Sequence, residues 1–110
     1  MKHLILALAL ILPLSVEAYD PKHLKQLKET DQCPKCDLEG AYLRGAYLEY
    51  VTLWKANLEG AYLEGAYLEG ANLSKANLNG ANLKGAAFYN TTMPDGSVKN
   101  SDSVYTPDCE

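Results

Sequence analysis

The amino-acid sequence predicts an all-β protein, a quadrilateral β-helix that winds around a narrow core of leucine side chains. A five-residue pattern runs from Cys36 to Asn90, with leucine at its third position and a small residue two places earlier. Seven of the eight glycines close a repeat, and several outward residues recur twenty positions further on. Such short fixed periods are typical of solenoids, in which each repeat buries its apolar side against its neighbours.

The five-residue period excludes a single α-helix and a straight β-strand. On an α-helix, five residues advance each leucine by about 140°, so the leucines would surround the helix. On a straight strand, an odd period sends successive leucines to opposite faces. The chain must therefore turn once per repeat, and glycine near the end of each repeat permits that turn. The small residue and the leucine then face inward together.

The twenty-residue spacing predicts four repeats per coil. The recurring pairs are Tyr42 with Tyr62, Tyr47 with Tyr67, Lys55 with Lys75, and Asn57 with Asn77. Residues one coil apart would then stack at the interstrand distance of about 4.8 Å. Met93 and Val98 keep the register of the leucines in degenerate form, so we expect about three coils.

The repeated A-[YN]-L-x-G string resembles the pentapeptide-repeat family, whose general form is A-[DN]-L-x-x. The resemblance covers about half of the chain, from Cys36 to Asn90, in eleven tandem repeats. It implies a right-handed quadrilateral β-helix with alanine and leucine inward and the other residues outward. The sequence departs from the family pattern by carrying tyrosine at four positions where the family mostly has Asp or Asn.

The first eighteen residues have the order of a secretory signal peptide. A positively charged start precedes an apolar run, Leu4 to Leu14, and Val16 and Ala18 fit the small-residue cleavage rule. The run is too short to cross a bilayer, which needs about 20 apolar residues. We therefore predict cleavage after Ala18 and an exported chain, periplasmic or secreted, with no membrane span in its mature form.

Three segments are expected after that site: a capping helix over 19–32, the β-helix over 33–98 and a flexible tail over 99–110. Asp20 followed by proline suits the start of a helix, because aspartate accepts a hydrogen bond from the first turn and proline fits there. The helix offers only Leu24 and Leu27 on one face, so it is expected to lie on the solenoid. His23 has no partner at metal-ligand spacing, and a solvated position is predicted for it.

The three cysteines are Cys33, Cys36 and Cys109. Cys33 and Cys36 have the C-x-x-C spacing of redox and metal sites. A redox site expects a βαβ context, and a zinc site expects four ligands, whereas this pair opens a β-solenoid. We predict that Cys33 and Cys36 cap the first coil, as a disulfide or as buried thiols. Cys109 is then free, pairs between chains, or joins one of the other two in a rearranged bridge.

Two tyrosine ladders are expected on adjacent outer faces: Tyr42 over Tyr62, and Tyr47 over Tyr67. Tyrosine rings are enriched in binding surfaces, and stacked rings also stabilise neighbouring strands. The stabilising role is favoured, and both roles can hold together. Trp54 interrupts the repeat at an outward position and is the best single candidate for an interaction anchor. Its alternative is packing against Lys55 or Lys75.

Composition and motifs argue against several classes of function. A net charge of −4 argues against a nucleic-acid binder, which needs a basic patch. The sequence shows no Ser/His/Asp set, no paired acid and base, and no glycine-rich phosphate loop, and a leucine-filled solenoid has no substrate pocket. We predict a non-catalytic structural or protein-interaction module without cofactor or metal. Uncapped solenoid ends associate, so a homodimer through the C-terminal coil is also expected.

Three alternatives stay open. Some pentapeptide-repeat proteins protect DNA gyrase by presenting an acidic rod shaped like DNA, which implies a DNA mimic that interacts with a topoisomerase. Residues 37–90 carry six acidic and four basic side chains, a weak charge for that role. The second alternative is a thiol-redox protein that uses Cys33 and Cys36. The third is sugar binding by the tyrosine ladders.

Overall fold

A computed structural model describes residues 18–100. The elements are helix α1 (Pro21–Thr30), the repeat body, and strands β1 (Thr91–Thr92) and β2 (Val98–Lys99). The signal-peptide prediction falls almost entirely on residues 1–17, and most of the predicted tail, with Cys109, falls on residues 101–110; both lie outside the described residues. Between residues 18 and 100, no helix is long and apolar enough to cross a membrane.

Parallel bridges join residues twenty positions apart throughout the repeat body. They run from Gln32 with Thr52 to Asn72 with Thr92, and each involves a single residue per repeat. A step of twenty residues holds four five-residue repeats. The chain therefore forms a β-helix with four repeats per turn, which confirms the predicted spacing.

Each corner of the β-helix is a tight turn that joins a leucine to the small residue three positions later. The Ala41 N–H donates to the Leu38 carbonyl oxygen at 3.0 Å, and the other repeats make similar bonds. The third residue of the turn has a positive φ, which is 68° at Gly40 and 66° at Gly60. Glycine adopts this left-handed conformation without the steric penalty of a Cβ atom. The turn therefore explains why glycine closes most repeats.

Hydrogen bonds between coils connect the faces. The Leu38 N–H donates to the Asn57 carbonyl oxygen, and the Asn57 N–H donates to the Cys36 carbonyl oxygen, both at 2.8 Å. The leucines from Leu38 to Leu83 point into the core and are at most 4% exposed. The predicted inward positions of leucine are thus confirmed.

Helix α1 supplies the hydrogen bonds that a coil above the first one would make. The Asp20 N–H donates to the Asp37 carbonyl oxygen at 3.1 Å, and His23 Nδ1 accepts from the Asp37 N–H at 2.8 Å. In the next coil, the same two groups of Asn57 bond to the coil above. His23 is half-buried. The predicted solvated position of His23 is wrong, because its ring takes the place of a missing carbonyl group.

The ends of α1 follow simple capping rules. The Asp20 side chain accepts from the Lys22 N–H at 2.9 Å, and Pro21 lies in the first turn, as the sequence predicts. Asp31 ends the helix with a φ of 61°, and its N–H donates to the Leu27 carbonyl oxygen at 3.1 Å. Leu27 is fully buried. The helix therefore packs on the top of the solenoid and lies within the predicted segment.

The chain leaves the solenoid register after Met93. Met93 is buried at an inward position, as the spacing predicts. The turn at Pro94-Asp95-Gly96 then reverses the chain, and β2 pairs antiparallel with β1, with Val98 opposite Thr92. Val98 is 54% exposed. The prediction that Val98 keeps the leucine register is therefore wrong, because the turn sends the chain back along the last face.

Candidate functional site

Two pairs of tyrosine rings stack on adjacent faces, at the spacing that the sequence predicts. The ring centroids of Tyr42 and Tyr62 lie 4.9 Å apart, and those of Tyr47 and Tyr67 lie 5.0 Å apart. The interplanar angles are 26° and 25°. Parallel bridges between the same residues hold each ring directly above its partner. These distances fall in the range of favourable aromatic pairs.

The four rings are open to solvent. Tyr42 and Tyr47 are 66% and 75% exposed, and Tyr62 and Tyr67 are 41% and 40% exposed. Exposed apolar area of this kind, with a hydroxyl group at each tip, is enriched in binding surfaces. The stacking also stabilises neighbouring coils, as cross-strand aromatic pairs do.

A charged corner separates the two ladders. Arg44 Nε lies 3.4 Å from Glu64 Oε1, and the Asn82 Nδ2 group donates to Glu64 Oε2 at 2.9 Å. Arg44 is largely exposed, so this ion pair contributes roughly 0–1 kcal/mol to stability. The corner therefore adds polar groups between two apolar strips.

Two further exposed tyrosines, Tyr50 and Tyr89, lie at the corner beyond Tyr47 and Tyr67. The Tyr50 ring covers Gly70, where an added Cβ atom would meet two ring atoms at 2.5 Å. The Gly70 N–H donates to the Tyr89 carbonyl oxygen at 2.8 Å, so Tyr89 lies below the same corner. The repeat pattern did not predict either residue as part of a surface, because both occupy turn positions of imperfect repeats. Their only signal was an aromatic residue where glycine or a charged residue is usual.

We call these six residues the tyrosine surface: Tyr42, Tyr47, Tyr50, Tyr62, Tyr67 and Tyr89. Trp54 does not belong to it, because Trp54 lies at the corner between the faces of Thr52 and Asn57. The structure thus brings together the four predicted tyrosines and separates the tryptophan from them.

Trp54 packs against two lysines at its own corner. The Lys55 Nζ atom lies 4.8 Å from the indole centroid, and the Lys35 Nζ atom lies 5.4 Å from it. The predicted contact with Lys55 is confirmed. The second contact comes from Lys35 in the preceding coil, and not from the alternative partner Lys75 in the following coil. Each such contact contributes about 0.5–1 kcal/mol at an exposed site.

The sulfur atoms of Cys33 and Cys36 lie 1.99 Å apart, at the distance of a disulfide. Both residues are buried at the top of the first coil, where Cys36 fills the inward position of the small residue. The Cys33 Sγ atom lies 3.3 Å from the His23 carbonyl oxygen, so the pair also contacts helix α1. This position agrees with the predicted role in capping the first coil.

Three other features of residues 18–100 lie apart from the tyrosine surface. The Asp95 carboxylate accepts from Ser97 Oγ at 2.6 Å and from the Ser97 N–H at 2.9 Å, and these bonds lower the pKa of Asp95. A depression of ≈ 310 Å³ lies beside α1 and includes Tyr19 and Leu24 but none of the predicted site residues. Among residues 18–100, no His, Cys, Asp and Glu side chains are grouped in a way that could hold a metal ion.

The repeats match a known protein family. A family model described as pentapeptide repeats matches the chain in eight copies, over residues 35–65 and 56–93. These matches cover more than half of the 110 residues. The chain belongs to the pentapeptide-repeat family.

Two solved pentapeptide-repeat proteins from cyanobacteria are similar to this chain. Rfr23 from Cyanothece 51142 is 27% identical over 66% of this chain and 73% of its own, with a TM-score of 0.29. HetL from Nostoc sp. strain PCC 7120, described as involved in heterocyst differentiation regulation, is 28% identical over 62% of this chain, with a TM-score of 0.21. The match spans 51% of HetL. A comparison with curated proteins gave no match.

Proposed function

We propose that this pentapeptide-repeat protein is an exported, non-catalytic module that binds a protein partner through the tyrosine surface. The observation that carries the proposal is the pair of stacked, exposed ladders on adjacent faces. Stacked rings lose little side-chain entropy on binding, and they combine apolar area with a polar tip. Pentapeptide-repeat proteins are generally structural modules without catalytic activity.

The proposal includes a right-handed winding of about three coils and cleavage of the leader after Ala18. The handedness rests on the family, and the cleavage site rests on the order of charged, apolar and small residues in the sequence. Cleavage there would leave Tyr19 as the first residue, directly before the helix cap Asp20. Export also suits a Cys33–Cys36 bridge, because disulfides persist in oxidising compartments.

Crosslinking and co-purification from the native compartment tests the partner. The wild-type chain is compared with Tyr42→Ala/Tyr47→Ala, which removes the two most exposed rings of the ladders, and with Trp54→Ala, which changes another corner. We expect a reproducible partner that is lost with the double variant and kept with Trp54→Ala. Tyr42→Phe/Tyr47→Phe keeps the stacked rings and removes only their hydroxyl groups. Partner binding that survives in this variant and is lost in the alanine variant depends on the rings themselves. The absence of any reproducible partner would contradict the proposal.

We also propose that a second copy of the chain joins at the C-terminal coil. Within the described residues, Asn77, Asn82 and Ala87 have bridge partners only in the preceding coil. An open strand edge of this kind can pair with another chain. Sedimentation velocity over a range of concentrations is expected to show dimers, and a monomer at every concentration would contradict this part of the proposal.

The geometry does not favour two of the three alternatives that the sequence left open. A reactive cysteine is solvent-accessible, whereas Cys33 is fully buried. Thiol alkylation with mass spectrometry checks this, and rapid labelling of Cys33 would revive the redox function. A DNA mimic needs a continuous acidic surface, and a row of three lysines interrupts it at one corner. A gyrase inhibition assay with the processed chain tests that role.

A further inference from the structure

Three lysines form a column along the corner that contains Trp54. Lys35, Lys55 and Lys75 are twenty residues apart, and each backbone N–H donates to a carbonyl oxygen one coil further on, at 2.7, 3.0 and 2.9 Å. The lysines therefore stack directly above one another, at about 4.8 Å per coil. All three are exposed. We call them the lysine column.

Lysine is an unfavourable residue at these positions. The φ angles of Lys35, Lys55 and Lys75 are 62°, 58° and 61°, in the left-handed region where a Cβ atom is strained. The neighbouring corner has glycine at all three equivalent positions, which are 40, 60 and 80. Like charges stacked in a row repel one another as well. Glycine would suit the turn better, and the contacts of Lys35 and Lys55 with the Trp54 ring offset only part of this strain, which points to a role for the lysines besides folding.

No carboxylate forms an ion pair with the lysine column in the part of the chain that the structure describes. Among residues 18–100, Glu64 pairs with Arg44 and Asp20 lies beside the His23 ring, and neither carboxylate contacts the column. Asp95 occupies the next position below Lys75 and is a carboxylate whose pKa is lowered by its hydrogen bonds from Ser97, but it forms no ion pair with Lys75. One adjoining face is uncharged, with the residues Gln32, Thr52, Asn72 and Thr92, and the other carries Asp37 above Asn57 and Asn77. The corner therefore presents three lysines in a straight row, without ion pairs to the described residues and with Asp95 at its lower end.

The shape of the corner limits the kind of partner. Small ligands bind in concave sites, and a convex corner cannot enclose one. A straight row of cations can lie along a flat, negatively charged surface. Trp54 is half-buried beside the row, with its ring next to Lys35 and Lys55. Tryptophan and lysine together are typical of membrane–water interfaces, where the indole lies at the level of the headgroups.

We propose that the lysine column and Trp54 dock the protein on the surface of an anionic phospholipid bilayer. Lysines close to such a surface are attracted to it, and the attraction falls off within a Debye length. The net charge of −4 opposes this contact at longer range. The protein therefore meets the bilayer edge-on along the lysine column, and the two corners that carry glutamate pairs lie on either side of the contact. This role is independent of the tyrosine surface, which lies on other faces.

Co-sedimentation with vesicles tests the proposal. Vesicles of phosphatidylglycerol mixed with phosphatidylcholine are compared with vesicles of phosphatidylcholine alone, which measure any binding through the apolar leader of the full chain. We expect stronger binding to the mixed vesicles, weakened by added salt. Lys75→Gly is expected to lower the partition of the protein onto the mixed vesicles about fivefold, because that is the contribution of one lysine to binding near an anionic surface. Glycine suits the left-handed turn, so this variant keeps its fold.

Two matched variants control for net charge and for side-chain length. Lys84→Gln removes one positive charge at another corner and is expected to bind as the wild type does. Lys75→Arg keeps the charge and is expected to keep the binding. The single tryptophan, Trp54, reports contact through a blue shift of its fluorescence on the mixed vesicles.

Several results would overturn the proposal. Equal losses from Lys75→Gly and Lys84→Gln would show that only net charge matters. Equal partition onto both kinds of vesicle would show that the column has no preference for anionic lipid. Binding to soluble polyphosphate or to an anionic polysaccharide, without binding to the mixed vesicles, would identify a polymer as the partner instead of a bilayer.

Discussion

Two neighbouring corners of this β-helix have the same backbone conformation and different residues. The lysine column has φ angles between 58° and 62°, and the corner of Gly40, Gly60 and Gly80 has φ angles between 66° and 71°. The glycine corner shows what the turn prefers, and the lysine column shows what the turn accepts. Inward leucines hold both corners in place, so the corners are free to carry charge at a modest loss of stability.

The largest loss of stability is expected on the face that joins the two corners. Leu58 lies between Lys55 and Gly60 and is fully buried. Leu58→Ala leaves a cavity, and we expect it to lower the free energy of unfolding by about 2–5 kcal/mol. Denaturant unfolding measures this loss. Glu59→Ala, at the exposed position next to it, is the control and should change stability by at most about 0.5 kcal/mol. Similar losses for the two variants would contradict the inward placement of the leucines.

The stability lost on replacing a glycine by alanine is expected to depend on the atoms that lie above that glycine. Nothing lies within 4 Å of a Cβ atom added at Gly60, whereas the Tyr50 ring blocks that space at Gly70. Gly60→Ala should lower the free energy of unfolding by about 1–2 kcal/mol through its left-handed conformation alone. Gly70→Ala should lower it by a further amount of about 1 kcal/mol, because the ring must move. Thermal unfolding of both variants, and of Gly70→Ala combined with Tyr50→Ala, measures the difference. An unchanged difference in the double variant would sink this explanation.

Both corners are supported by an asparagine that precedes the turn. Asn57 Oδ1 accepts from the Glu59 N–H at 3.1 Å before the glycine corner, and Asn72 Oδ1 accepts from the Ser74 N–H at 3.0 Å before the lysine corner. Alanine at either position should lower the free energy of unfolding by about 0.5–1.5 kcal/mol. Urea unfolding of the two variants checks this. A loss at only one corner would show that the two turns differ in more than their third residue.

The repeat made most of the fold predictable from sequence. Leucine spacing predicted the inward ladder, the twenty-residue recurrence predicted the coil, and Asp20-Pro21 predicted the start of α1. The same recurrence predicted the stacking of Tyr42 on Tyr62 and of Tyr47 on Tyr67. These predictions were accessible because each depends on residues at a fixed distance along the chain.

The predictions that failed depend on contacts outside the repeat. His23 accepts from Asp37, fourteen residues away, because the first coil lacks a neighbour above it. Val98 leaves the register because an antiparallel hairpin competes with the parallel pairing of another coil. Trp54 packs on Lys35 rather than Lys75. The five-residue period places a corner side chain on its coil but does not predict whether it points towards the preceding or the following coil.

The smallest effects expected come from single lysine-to-glycine variants. Lys75→Gly should raise the free energy of unfolding by roughly 0.5–1 kcal/mol, because it relieves a left-handed residue. Lys55→Gly should raise it less, since it also removes the contact with the Trp54 ring. Guanidinium unfolding of the two variants measures this order. The reverse order would show that the Trp54 contact does not stabilise the corner.

The measurement that tests the central claim most directly is urea unfolding of the triple variant Lys35→Gly/Lys55→Gly/Lys75→Gly. If the lysine column is present for a purpose other than folding, the triple variant unfolds at a higher urea concentration than the wild type. A lower midpoint for the triple variant would contradict the claim, because it would show that the lysines stabilise the turns they occupy.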